Sequence, residues 1–227
     1  MNKNEKILLE ELDYDHFSCT DHTPLREDAF KLSSEEKIDR IEGHFQQIME
    51  TLGLDMSDDS LRNTPRRVAK MYVKEIFGGL NPDIKPKAST FQNKYKYNQI
   101  LVEKNIAVYS TCEHHFLPIV GRAHVGYISN SKVIGLSKIN RIVDYFARRP
   151  QVQERLTIQV VQSLQEILNT QDVACVIDAK HLCVNSRGIR DFCSSTATAE
   201  LGGRFKTDRI TREEFLHHIG VSTCWDV

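Results

Sequence analysis

Two segments far apart in this chain, Cys112-Glu113-His114-His115 and His181-Leu182-Cys183, constrain its fold more than any other feature. Together they offer a transition metal two thiolates and an imidazole, from Cys112, His115 and Cys183. A fold that uses them must bring the two segments together. Cys-x-x-His presents two donors from one turn, and zinc held by three protein ligands keeps a fourth position for water, the pattern of catalytic sites. His114 and His181 adjoin these ligands and are suited to moving protons. If Val173, Cys175, Ile177, Ala179, His181 and Cys183 belong to one strand, they share a face, and His181 and Cys183 project together. A bulge after Ala179 would break that inference.

The 227 residues, 40% hydrophobic and 27% charged, suit one substantial core with a smaller appended segment. No apolar run approaches the roughly 18 residues that cross a bilayer, and the opening Met1-Asn2-Lys3-Asn4-Glu5-Lys6 does not lead into a signal peptide. A cytoplasmic protein is expected, with neither membrane nor nucleic acid as a partner. Six cysteines in such a chain read as metal ligands or buried thiols rather than a disulfide framework. Charge is unevenly spread: residues 1–60 hold sixteen Asp or Glu against six Lys or Arg, leaving fifteen against twenty-four for residues 61–227. The part that carries the metal motifs is therefore basic and suited to an anionic ligand.

Residues 1–32 lack sustained periodicity and predict a weakly ordered arm without functional residues. Ser33-Ser34-Glu35-Glu36 is a capping box, and Ile38, Ile41, Phe45, Ile48 and Leu52 then recur at helical spacing before Gly53. Thr64 as N-cap and Pro65 at the first helical position open a second helix that Gly78-Gly79 stops. These helices define a helical region over residues 33–96, its last part, from residue 80, a polar loop. Strands over 100–108 and 119–128 put Cys112 and His115 in a connection, where sites are commonly mounted. Ser137 opens a helix with Ile139, Ile142, Val143 and Phe146 inward, and Pro150 separates it from another carrying Val152, Leu156, Val160, Leu164 and Ile167. A strand from Val173, a turn at Arg187-Gly188, a strand over 195–199 and a helix over 212–219 follow. The fold class is α+β: helices, then a ββααββ domain over residues 97–220 with two sequential helices, and a tail over 221–227.

This order and several specific blocks resemble the GTP cyclohydrolase I family over residues 35–218. The blocks include Thr64-Pro65-Arg66-Arg67-Val68-Ala69-Lys70-Met71-Tyr72, Ser110-Thr111-Cys112-Glu113-His114-His115-Phe116, Ile134-Gly135-Leu136-Ser137-Lys138-Ile139-Asn140-Arg141, Arg149-Pro150-Gln151-Val152-Gln153-Glu154-Arg155-Leu156 and Arg187-Gly188-Ile189. The resemblance implies the tunnelling fold with an antiparallel sheet, a homo-oligomer of two stacked five-membered rings, and active sites between subunits. It implies that GTP is converted to 7,8-dihydroneopterin triphosphate and formate, the first step towards folate or biopterin.

Carried onto this chain, the resemblance makes Cys112, His115 and Cys183 ligands of Zn2+, with His114, His181 and Ser137 catalytic. Glu154, with Gln153 beside it, matches the purine anchor, and Arg67, Lys70, Lys138, Arg141 and Arg187 match the phosphate-binding positions. The chemistry agrees. C8 of guanine is poorly electrophilic until its imidazole ring is protonated, which calls for a proton donor beside a metal-activated water. A carboxylate accepts from the N1–H and 2-amino edge that adenine lacks. The chain contains no Gly-rich phosphate loop, so side-chain cations must receive the triphosphate.

Overall fold

The computed structural model describes residues 20–87 and 89–220. Part of the expected arm, the expected tail, Cys19 and Cys224 lie outside the described residues. Helix α1 (Ser34–Thr51) begins at the capping box: Ser33 Oγ accepts from the Glu36 N–H at 3.3 Å, and the Glu36 carboxylate accepts from the Ser33 N–H at 2.8 Å. It ends at Gly53, whose φ of 83° lets the Gly53 and Leu54 N–H groups donate to the Glu50 and Met49 carbonyls. Ile38 is buried, Ile41 and Phe45 are half-buried, and Ile48 and Leu52 stay exposed. The second helix is tied by ion pairs to the first half of α1, through Arg66 to Asp39 and Glu42 and Lys74 to Glu35.

That second helix, α2 (Thr64–Lys70), starts at Thr64 itself, with Asn63 in the cap position and Pro65 in the first turn, where a missing N–H costs nothing. It widens into a π-helical turn (Met71–Ile76), and Arg148 donates to the Lys74 and Glu75 carbonyls at 2.6 and 2.5 Å. Within the stretch expected to be loop, β1 (Thr90–Gln92) pairs with β4 (Lys132–Ile134). Three residues are too few for alternation to register in a sequence.

Strands β2 (Ile100–Cys112) and β3 (Pro118–Ile128) form an antiparallel pair longer than the sequence indicates, making Cys112 the last residue of β2 rather than part of the connection. With β5 (Pro150–Gln151), β6 (Val173–His181) and β7 (Thr196–Leu201) they build a five-stranded sheet in the order β5-β2-β3-β6-β7. The four long strands are antiparallel, as expected, while β5 adds a short parallel pairing at Thr111 and Cys112. Helices α3 (Leu136–Ala147) and α4 (Gln153–Leu168) pack Ile139, Ile142, Val143, Leu156, Val160 and Leu164 onto one face, against Val108, Val125, Cys175 and Ile177. Cys175 is fully buried, and burial pushes its thiol up to about 12, so it is chemically silent.

After β6 comes a single helical turn, α5 (Leu182–Asn185), and after β7 come α6 (Gly203–Thr207) and α7 (Arg209–Gly220). These last two bring Phe205 and Phe215, in edge contact at 5.4 Å, against Ile100, Ile128 and Ala174. Each ring buried this way contributes about 2–3 kcal/mol. Gly126 permits the approach, since a Cβ there would meet the Phe215 ring at 2.8 Å. Among the described residues, β7 and the stretch of β2 before Thr111 leave their outer edges unpaired. No helix among the described residues is long and apolar enough to cross a membrane.

Candidate active site

The hairpin between β2 and β3 carries the first metal segment. Cys112 N–H donates to the Leu117 carbonyl at 2.8 Å, and Phe116 N–H to the Cys112 carbonyl at 2.9 Å. Phe116 sits at φ 55°, a left-handed conformation that costs a bulky residue about 1–2 kcal/mol. Its ring packs edge-on against Phe77 at 5.1 Å, which helps hold the turn. Glu113 N–H donates to the Gln151 carbonyl at 3.0 Å, tying the loop to β5.

The second segment arrives differently from the alternation argument. β6 ends at His181, and Cys183 lies in α5, so a helical turn, not a strand face, aims its sulfur. The outcome is nevertheless a cluster: the donor atoms of Cys112, His115 and Cys183 all lie within 4.8 Å of one another. Tetrahedral zinc spaces two sulfurs and a nitrogen roughly 3.5–3.8 Å apart, so side-chain shifts of at most about one ångström complete the set. Burial, then the neighbouring Cys112 sulfur, pushes the Cys183 thiol up to about 11. Metal binding must therefore displace its proton. Arg187 Nη1 donates to His115 Nε2 at 2.8 Å, placing one of the expected phosphate cations directly beside the cluster.

Cys112 and Cys183 open onto a cavity of about 820 Å³ that His114, His181, Gln153 and Glu154 also line. Burial holds His181 below the usual histidine range, while the Glu154 carboxylate acts in the opposite sense. His181 Nε2 lies 2.8 Å from Gln153 Oε1. Two further features of the site are not legible in the sequence. Arg155, 3% exposed, donates to both oxygens of Glu113 at 2.5 and 3.3 Å and so ties the metal loop to the first turn of α4. Thr20 and Asp21, in the arm expected to lack function, also line the cavity, their carbonyls accepting from Arg155 at 2.8 Å and Gln159 at 3.0 Å. Glu113 is visible inside its motif, but nothing local in a sequence pairs it with an arginine on another element.

The remaining cations are not gathered there. Lys138 and Arg141 line a separate cavity of about 280 Å³ with Lys87 and Arg148, sharing no residue with the metal cavity. Arg67 and Lys70 are exposed on α2, and Ser137 is exposed in the first turn of α3.

An α+β fold holding a two-thiolate, one-imidazole cluster and two histidines in one cavity defines a metal-dependent enzyme. The family model described as GTP cyclohydrolase I matches residues 41–220. A protein named GTP cyclohydrolase 1 from Flavobacterium johnsoniae is 64% identical over 220 residues, covering 97% of this chain and 98% of its own. Proteins of the same name are 56% identical over 194 residues in Aeromonas salmonicida, covering 86% of this chain and 88% of their own, and 53% over 197 residues in Yersinia enterocolitica, covering 87% and 89%. The chain belongs to the GTP cyclohydrolase I family, and Cys112, His115 and Cys183 form a zinc site typical of it.

Proposed function

We infer that this chain converts GTP to 7,8-dihydroneopterin triphosphate and formate. The observation that carries the reading is the single cavity in which the metal cluster meets His114, His181 and Glu154. Zinc, when bound, supplies a hydroxide near neutral pH by acidifying water. His181 and His114 are the proton carriers: one protonates the guanine imidazole to make C8 attackable, and the other assists ring opening and release of formate. We assign the first step to His181. Glu154, exposed at the start of α4, accepts from the N1–H and 2-amino group of guanine and leaves adenine without a match. Ser137 serves the later ribose rearrangement and ring closure as a proton carrier.

The triphosphate falls to Arg187, Lys138, Arg141, Arg67 and Lys70. Their separation within one protomer, together with two open sheet edges, supports assembly into two stacked five-membered rings. In such a ring, cations of one copy face a nucleotide whose base lies in the neighbour's cavity. Sedimentation should give a particle of ten chains, and a monomer with full activity would overturn this part.

Incubation of metal-analysed protein with GTP, following formate and pterin fluorescence together, tests the activity. Both products are expected, dependent on about one zinc per chain and lost in His114→Ala and Cys183→Ala. Zinc-loaded protein that yields neither product would overturn the reading.

A further inference from the structure

Gln153 was expected beside the purine anchor, yet its side chain is engaged on every side by the protein. It is 1% exposed. The two hydrogens of its Nε2 are shared among the Ile177 carbonyl at 3.0 Å, the Thr196 carbonyl at 2.8 Å and Thr198 Oγ1 at 3.1 Å. The Thr198 hydroxyl is itself held by Thr157 Oγ1 at 2.7 Å, and Thr157 donates to the Gln153 carbonyl at 2.8 Å. This network fixes which way the amide points, because the flipped amide would press its oxygen against two carbonyl oxygens. Oε1 is thereby turned to His181 Nε2 at 2.8 Å.

An amide oxygen only accepts, so the proton of that hydrogen bond sits on His181 Nε2. Which imidazole nitrogen carries the proton is set by the hydrogen bond the ring makes. His181 Nδ1 makes no hydrogen bond among the described residues, and the ring lines the metal cavity. We propose that Gln153 is a positioning residue: clamped by β6, β7 and Thr198, it holds the His181 ring with Nε2–H against its own Oε1 and turns Nδ1 to the nucleotide, the nitrogen that takes a proton from water and then passes it to the guanine imidazole. Gln153 does not bind the base through its side chain. The role rests on the reading of His181 as a proton carrier in GTP turnover, though the tautomer itself does not.

Two measurements test it separately. The first is ¹⁵N spectroscopy of the histidine-labelled, zinc-loaded enzyme without nucleotide, with His181→Gln for assignment. An unprotonated Nδ1 and a protonated Nε2 are expected, and the reverse tautomer would overturn the proposal whatever the substrate is. The second is steady-state turnover of GTP by Gln153→Met, once wild-type protein is seen to release formate and pterin. A misplaced ring lowers kcat about 10²-fold, with KM and zinc content little changed. A raised KM at unchanged kcat would mean that Gln153 binds substrate directly, and an unchanged kcat would also overturn the role. Should Gln153→Met fail to fold, Thr198→Val loosens the clamp from outside the cavity. It should lower kcat several-fold at constant KM, and no change in kcat would count against the proposal.

Discussion

The metal cluster and the cations proposed for the triphosphate are placed in opposite ways. Cys112, His115 and Cys183 come together within one chain, and the hairpin that carries the first two is braced by a largely buried ion pair, a strand pairing and an aromatic contact. Of the cations expected for the triphosphate, only Arg187 lies beside that cluster, and Lys138 and Arg141 line another cavity. Bond-forming chemistry tolerates little misplacement, whereas a flexible, highly charged triphosphate is held by longer-range attraction and by side chains that a second copy can supply.

Substitutions in the two sets should therefore fail differently. The largest effect is expected from Cys183→Ala, which should lower formate release at least about 10³-fold together with zinc content. A zinc-replete, active variant would place the metal elsewhere. Next comes stability: Arg155→Met strands the Glu113 carboxylate and should cost about 2–4 kcal/mol, somewhat below the usual range for a broken buried pair because Glu113 keeps 20% of its side-chain surface. Thermal unfolding measures it, and an unchanged midpoint would show that the brace is dispensable.

Lys138→Ala and Arg141→Ala should do the reverse, leaving the unfolding midpoint nearly unchanged while raising KM for GTP about tenfold each. If either instead lowered kcat alone, the division between the two sets would fail. Arg187→Ala sharpens the comparison, because Arg187 hydrogen-bonds His115 and is also one of the proposed phosphate cations, so it should affect KM and kcat together.

The smallest effect is an acid one, far from the site. Hydrogen bonds from the Ser33 hydroxyl and N–H hold Glu36 below the usual carboxylate range. The stability this cap contributes is thus fully present above that range and is lost as pH falls through the lowered value. Circular dichroism during acid titration should show Ser33→Ala losing helix at slightly higher pH than wild type, and coincident curves would remove the cap from the ledger.

How much of this was legible follows from distance along the chain. The α1 capping box, the inward faces of α3 and α4 and the ligand residues were readable because each rests on residues a few positions apart. Cys183 was correctly singled out for a reason that did not hold, since α5 rather than strand alternation aims it. The brace from Arg155 to Glu113 and the placement of Thr20 and Asp21 at the cavity were not readable, because they depend on how β5, α4 and the arm pack. Gln153 shows the same limit: its hydrogen bond to His181, 28 positions away, is not readable from the sequence.

By itself, then, the sequence determined the longer helices and strands, the inventory of chemical groups and the metal that suits them, since propensity, periodicity and donor type are properties of residues and near neighbours. Tertiary structure alone decided that Gln153 meets His181 Nε2, what braces the metal loop and which cations stay apart from it. Those are matters of ångströms between residues distant in the chain, and only packing fixes them.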